Sequence, residues 1–242
     1  QKYIENKKYN LAIQLINKFQ KKEYSPEYQN YKIVIYLLTH KYDAALFEST
    51  ELLSKFPNDP SLLCNIGIAN KGKKNFNAAI NFLNKSLQID PNNLNSYLNL
   101  IETYIEIFNF NKAIELLDKM LQKELCIEKC YQLLAYCYRE INSFKESHDN
   151  LELAIKINPY NYENYYHLGF SFIWEKNYTR ASESFRRCFE LNKKYIPSLY
   201  QLNKLNAYKL DSEELYQLKA IDDKDLDAYN LGYKYLTLSE IF

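Results

Sequence analysis

The sequence predicts an all-α protein that forms an α-solenoid of stacked antiparallel helix hairpins. Three observations support this fold class: the sequence repeats with a spacing of 34 residues, apolar residues recur with helical periodicity inside each repeat, and turn-forming residues are scarce. A single hairpin of amphipathic helices cannot bury both of its apolar stripes, so neighbouring hairpins must stack to complete the core.

The repeat is clearest in a column of small residues near the start of the second helix of each hairpin. Its members are Ala45, Ala79, Ala113, Ser147 and Ala181. Large apolar residues form another column near the start of each preceding helix, namely Leu63, Tyr97, Tyr131, Tyr165 and Leu199. The small column predicts the place where the two helices of a hairpin approach each other.

The helices themselves follow from apolar residues at positions i, i+3, i+4 and i+7 within each repeat. Polar joints such as KKNFN and WEKNY separate the two helices of a hairpin, and PNDP, DPNN and NPYN separate successive hairpins. Four glycines and six prolines in 242 residues leave little material for tight β-turns, which argues against a protein of many short strands.

These residues resemble the pattern of the tetratricopeptide repeat (TPR). The family pattern has a bulky residue, then Leu and Gly three and four places on, two aromatics, a small Ala and a terminal Pro. The stretch NYYHLGFSFIWEKNYTRASESFRRCFELN follows it at nearly every place. The resemblance covers roughly residues 1–205 and implies a right-handed α-solenoid.

The repeat spacing divides the chain into eight segments. They are the second helix of a truncated repeat at 1–24, repeats at 25–59, 60–93, 94–127, 128–161 and 162–195, a degenerate repeat with capping helices at 196–220, and a helix of a truncated following unit at 221–242. Gln29 and Lys32 occupy places that should be bulky and apolar, so we expect the first helix of repeat 25–59 to be shifted or loosely packed. Asp211 or Ser212, with Glu214 nearby, predicts a helix N-cap.

The composition argues against several classes of function. Thirty-one basic and thirty acidic residues give a net charge of +1 without a basic stripe, so we expect no nucleic-acid partner. The longest apolar run, Ile33 to Leu38, is too short for membrane insertion. Five scattered cysteines without a CxxC pair predict reduced thiols and a cytoplasmic location.

No cofactor, metal site or catalytic site is predicted. Cys126, Cys130 and Cys137 share a helical stripe, but a structural zinc site needs four ligands and usually has CxxC pairs. Cys130, Cys137 and Cys188 occupy packing positions of the repeat, so we interpret them as small buried hydrophobes. The three histidines fall in different repeats, and phosphate-binding, hydrolase and metalloprotease motifs are missing from the sequence. We therefore expect this segment not to be an enzyme.

The resemblance also implies a concave groove lined by the first helices of the repeats, where a peptide binds. Transferred to this sequence, the main groove residues are Asn65, Asn99, Glu102, Tyr136, Arg139, Tyr166, Phe170, Trp174, Tyr200 and Lys204. The same transfer adds Asn95, Leu98, Glu106, Lys129, Gln132, Glu163 and Tyr208. Asn65 and Asn99 match an asparagine ladder that holds the peptide backbone in some family members, although Leu133, His167 and Gln201 interrupt it. The Lys and Asn pattern that clamps chaperone C-termini is not matched.

Tyr166, Phe170 and Trp174 leave two interpretations open, because rings on this stripe either bind a partner or pack against the next first helix. The leading functional hypothesis is a non-enzymatic scaffold that binds a protein or peptide, with the oligomeric state left open. An alternative is the substrate-recruiting region of a larger glycosyltransferase or sulfotransferase whose catalytic domain lies outside this sequence. Direct RNA binding through stacked aromatics ranks last because the charges are balanced.

Overall fold

The computed structural model describes residues 8–20, 26–205 and 210–241. Over these ranges the regular secondary structure is entirely helical, with fourteen α-helices and one short 3-10 helix. Among the repeats on either side of residue 125, consecutive helices pack against one another. The predicted all-α solenoid of helix hairpins is confirmed.

The chain forms two compact units, residues 1–125 and 126–242. The described helices of the first unit are α1 (Tyr9–Gln20), α2 (Pro26–Leu38), α3 (Tyr42–Lys55), α4 (Pro60–Gly72), α5 (Phe76–Ile89), α6 (Leu94–Glu106) and α7 (Phe110–Gln122). Those of the second unit are α8 (Ile127–Glu140), α9 (Phe144–Ile157), α10 (Tyr162–Trp174), α11 (Tyr178–Leu191), α12 (Pro197–Lys204), α13 (Ser212–Ala220) and α14 (Ala228–Ile241). The 3-10 helix, Asp223–Asp225, lies between α13 and α14.

Side chains of aspartate and asparagine begin several helices. Asp59 accepts hydrogen bonds from the backbone N–H groups of Ser61 and Leu62, and Pro60 occupies the first turn of α4. Helices α6, α7, α10 and α11 are capped in a similar way by Asn93, Asn109, Asn161 and Asn177. These caps satisfy backbone N–H groups that have no partner inside the helix, which fixes where each helix starts.

The joints inside five hairpins share one backbone feature, a residue in the left-handed conformation. These residues are His40, Lys74, Phe108, Asn142 and Lys176, with φ between 56° and 62°. The next residue donates its N–H back to the end of the first helix, as Asn75 does to the Asn70 carbonyl at 2.9 Å. Glycine adopts this conformation without steric cost. None of the five joints has glycine there, so each carries a backbone penalty that the sequence pattern did not reveal.

The column of small residues is buried inside the hairpins, as the repeat pattern predicts. Its members Ala45, Ala79, Ala113, Ser147 and Ala181 are buried. Gly169 makes a similar close contact from the first helix of its hairpin, because a Cβ added there would lie 2.5 Å from an atom of the Phe185 ring. Gly169 of α10 therefore makes room for the Phe185 ring of α11.

Helix α2 differs from the expectation that it is shifted or loosely packed. Gln29 is buried, and its Nε2 donates to Glu48 Oε2 on α3 at 3.1 Å. Lys32 forms an ion pair with the other oxygen of the same carboxylate. Ile33 and Ile35 are fully buried beside them. The polar residues fit because one acid on α3 satisfies both, a pairing that helical periodicity alone does not show.

Polar contacts hold the last helices of the second unit in place. The N-cap predicted at Asp211 or Ser212 is Asp211, which forms a capping box with Glu214. Glu214 also accepts from Arg186 Nε of α11 at 2.7 Å, which links α13 to the preceding hairpin. On α14, Lys234 is buried and donates to the Ile221 carbonyl at 2.6 Å. These contacts order a segment in which the repeat pattern fades.

Candidate functional site

In the first unit, the predicted groove residues bond to neighbouring side chains. Asn65 Nδ2 donates to Asn30 Oδ1 at 3.2 Å. Lys71 Nζ donates to Asn99 Oδ1 at 2.8 Å and to Glu102 Oε2 at 2.5 Å. Asn99 uses its own amide N–H on the Asn95 carbonyl at 2.9 Å. The polar groups expected to hold a peptide are therefore engaged between adjacent first helices.

The second unit has a recess of about 150 Å³ lined by α8, α9 and α10, which we call the α8–α10 recess. Its apolar lining comes from Leu133, Ala135 and Leu151, of which Ala135 and Leu151 are buried. Tyr136 and Trp174 add aromatic surface. The volume matches one medium-sized side chain, since a cavity of about 150 Å³ holds a benzene molecule in a well-studied engineered protein.

Charged and polar side chains complete the lining of this recess. Lys129 and Arg139 are basic, Glu163 is acidic, and His167 lies beside them. Arg139 stacks over the Tyr136 ring at 4.9 Å and also bonds to Glu140 Oε1 at 3.0 Å. Lys129 forms no ion pair with any residue that the structure describes. The recess thus combines apolar depth with an unpaired ammonium group.

His167 is neutral in this environment at ordinary pH. Its side chain is exposed to the recess, but the surrounding walls exclude much of the bulk water. This desolvation is the main cause that lowers the pKa of His167 to about 4, and the nearby charges of Arg139 and Lys129 contribute in the same direction. The shift therefore mainly reflects the shielding of the imidazole from water, with a smaller contribution from the two cations.

Gln132 is held in place by a buried neighbour. Its Nε2 donates to Asn164 Oδ1 at 2.7 Å, and Asn164 is fully buried. The Asn164 amide nitrogen has no hydrogen-bond partner among the described residues. Because an unsatisfied buried donor costs about 1–3 kcal/mol, Asn164 is retained at a cost to stability while it orients a residue of the recess.

Trp174 is the most exposed aromatic side chain of the recess. Its ring packs on Phe144 of α9, with 4.6 Å between centroids, while 43% of the residue stays exposed. One face is therefore supported by the hairpin. The indole keeps a large open surface at the edge of the recess, where a partner can reach it.

Tyr166 and Phe170 are placed differently from Trp174. Tyr166 is 9% exposed, and its ring contacts Phe170, Phe185 and Tyr195 at centroid distances of 5.1, 5.9 and 5.1 Å. Burial raises its pKa. Phe170 is half-buried and packs edge-to-face on Phe185 at 5.5 Å. Tyr166 and Phe170 therefore pack against neighbouring rings, as one of the two interpretations of this stripe expected. Of the three rings, Trp174 is the one that is largely exposed.

Tyr200 and Lys204 belong to a separate tyrosine-rich surface on α12 and α14. Lys204 Nζ lies 4.7 Å from the centroid of the Tyr200 ring. Tyr200 contacts Tyr233 at 5.2 Å, and Tyr233 contacts Tyr229 at 4.9 Å. Tyr208, also predicted for the groove, lies outside the described residues.

The cysteines and acidic residues show no arrangement suited to a metal ion in the described ranges. Cys130 and Cys137 are buried, and burial raises their pKa to about 11 and about 12. Such thiols are poor nucleophiles at neutral pH because the thiolate is the reactive form. No helix among the residues with assigned positions is long and apolar enough to cross a membrane.

Comparison with known families identifies the repeat. Sequence models of the tetratricopeptide repeat match residues 72–125, 128–161 and 162–195. The chain belongs to the tetratricopeptide repeat family. The α8–α10 recess lies within two adjacent matched TPR segments.

Solved TPR structures share the fold at low sequence identity. MamA 41-end from Desulfovibrio magneticus RS-1 has a TM-score of 0.58 and 19% identity, covering 77% of this chain and 96% of that one. A crystal structure of MamA has a TM-score of 0.54 and 23% identity, covering 72% and 95%. YrrB, described as a TPR protein with an unusual peptide-binding site, has a TM-score of 0.54 and 18% identity, covering 71% and 89%. No curated protein matches this TPR chain in sequence.

The TPR positions chosen from the sequence are thus divided among several surroundings. The α8–α10 recess brings together Tyr136, Arg139 and Trp174 with Lys129 and Glu163. Sequence reasoning missed the apolar depth of the recess, because Ala135 and Leu151 belong to the buried columns of the repeat. The spacing of 34 residues between Lys129 and Glu163 was the available signal, since it places both at the same point of successive first helices.

Proposed function

We propose that this TPR chain is a non-enzymatic interaction module that binds a peptide segment of a partner protein on the exposed faces of α8 and α10. The observation that carries the proposal is the α8–α10 recess, in which Trp174 and Tyr136 present aromatic surface beside Lys129 and Arg139. Clefts that join apolar depth with a few placed polar groups are typical binding sites. Aromatic and arginine side chains dominate the binding energy of protein interfaces.

The comparisons support this proposal at the level of the fold. One structural neighbour, YrrB, is described as having a peptide-binding site on the same kind of scaffold. The five cysteines, four of them buried, support a reducing, cytoplasmic setting for the proposed interaction.

The proposal can be tested with peptides selected from a random twelve-residue phage library against the whole chain. Binding of selected peptides would be measured by biolayer interferometry for the unchanged chain, Trp174→Ala and Arg139→Ala. We expect each variant to lose roughly tenfold or more in affinity, since both residues are of the type and placement of interface hot spots.

Tyr178→Ala is a matched control for Trp174→Ala. Tyr178 is 46% exposed, close to the 43% of Trp174, but it begins α11 and does not line the recess. Its removal should leave peptide affinity within about twofold, because it makes no contact in the proposed site. Circular dichroism checks that the variants stay helical. Failure to select any peptide, or equal binding by Trp174→Ala and the unchanged chain, would refute the proposal.

A further inference from the structure

We infer that the α8–α10 recess selects a partner segment in which one medium-sized apolar side chain is flanked by acidic residues. This inference rests on the proposed function and names the chemistry of the partner. It follows from two features of the same site: the size and apolar depth of the recess, and the charges that surround it.

The size of the recess sets the first part of the specificity. About 150 Å³ bordered by Leu133, Ala135 and Leu151 accommodates one leucine-sized group. Burial of an apolar group there removes it from water and contacts the rings of Tyr136 and Trp174. A charged side chain in the same place would lose its hydration, and the apolar side chains of Leu133, Ala135 and Leu151 could not compensate for that loss.

The charges of the lining set the second part. Arg139 is paired with Glu140, whereas Lys129 has no ion-pair partner among the described residues, and Glu163 is the acid that lines the recess. His167 adds no charge of its own at neutral pH, because desolvation and, to a smaller extent, the nearby cations lower its pKa to about 4. Acidic residues beside the inserted group would approach Lys129 and Arg139, whereas basic residues would meet like charges.

The chain contains one tryptophan, and it is Trp174. Its indole N–H therefore gives a single cross-peak in a ¹⁵N-correlated NMR spectrum of the whole chain, which reports on the recess without assignment of other residues. Weak ligands can be measured this way because a shift in fast exchange is read directly as a function of peptide concentration.

The probes are four nine-residue peptides with identical glycine- and serine-rich ends. Their centres are leucine or alanine, flanked on both sides by glutamate or by lysine. We expect the leucine peptide with glutamates to shift the indole peak at the lowest concentration. Replacing leucine by alanine should weaken binding by roughly tenfold or more, because about three carbon groups no longer leave water.

Charge reversal at Lys129 tests the electrostatic part. In Lys129→Glu the preference should move from the glutamate-flanked toward the lysine-flanked peptide by several fold, which a merely structural residue would not cause. Lys156→Glu is the matched control, because Lys156 is an exposed lysine of α9 outside the recess, and it should keep the original preference.

Each contrary outcome overturns a named part of the inference. Equal binding of leucine and alanine peptides excludes the apolar insertion, and equal binding of glutamate and lysine peptides, or an unchanged preference in Lys129→Glu, excludes the charge selection. An indole peak that moves with protein concentration alone would identify a second copy of this chain as the occupant. If no designed peptide moves the peak while phage-selected peptides still bind, the inference fails and the proposed function stands; if selected peptides also fail, both are wrong.

Discussion

Gly169→Ala should destabilise the second unit even though alanine is the better helix former. The added Cβ would lie 2.5, 2.7 and 2.8 Å from three atoms of the Phe185 ring, whereas carbon atoms pack at about 3.5–4.0 Å. The ring must therefore move by roughly 1 Å. Phe185 is fully buried against Tyr166 and Phe170, so it has no free space to move into.

The magnitude follows from two opposing contributions. Overpacking of a well-packed core costs about 1–3 kcal/mol. Replacing glycine by alanine inside a helix contributes about 1 kcal/mol in the stabilising direction. The net change in the free energy of unfolding should thus be a loss of about 0–2 kcal/mol, with the overpacking cost partly hidden by the helix propensity.

Gly232→Ala separates the two contributions. Gly232 lies inside α14 of the same unit, and a Cβ there has no atom within 4 Å. It should gain about 0.5–1 kcal/mol from propensity alone. Urea unfolding followed by circular dichroism at 222 nm compares the two variants in one unit. If Gly169→Ala proves as stable as Gly232→Ala, the close contact with Phe185 does not restrict the core. Phe185→Leu should partly rescue Gly169→Ala, because residues in contact are not additive.

Two further predictions concern the backbone and the pH. Phe108→Gly should raise the urea midpoint of the first unit by an amount equivalent to about 1 kcal/mol, because glycine adopts the φ of 58° found at this position without penalty. Phe108→Ala keeps a Cβ and should not raise the midpoint. Equal gains in the two variants would show that the backbone at Phe108 is not strained. The folded pKa of His167, about 4, lies below the unfolded value near 6.5. Between these values only the unfolded chain binds the proton, so the free energy of unfolding should be highest above about pH 6.5 and should fall as the pH falls towards 4. An NMR titration of His167 with a midpoint near 6.5, or an unchanged pH profile in His167→Gln, would exclude this contribution.

The sequence predicted the fold well because the fold depends on columns that repeat. Ala113 and its equivalents are buried as the repeat pattern requires, and Asp211 caps a helix where the local signal placed it. Each of these features is set by residue size or by a local hydrogen bond, so a one-dimensional pattern contains it.

The pairing of polar residues could not be predicted in the same way. Gln29 and Lys32 looked unsuitable for a core, but Glu48 of the next helix satisfies both. Asn99 looked free to hold a peptide, but Lys71 of the preceding first helix occupies it. In both cases the partner lies on another helix. The position of a residue in the helical repeat predicts which way its side chain points, but not which residue of a neighbouring helix it contacts.

The three rings of α10 show why phase alone does not define the candidate site. Tyr166, Phe170 and Trp174 lie on one stripe of the helix. Tyr166 is nevertheless buried against Phe185 and Tyr195, whereas Trp174 packs one face on Phe144 and stays exposed on the other. A ring can lie inside a hairpin only where small residues leave room for it, since protein cores are closely packed. Gly169 provides that room for Phe185, and Phe185 in turn forms the surface on which Tyr166 and Phe170 pack. The exposed part of the stripe is therefore set by core packing one layer below, which is why Trp174 lines the recess and Tyr166 does not.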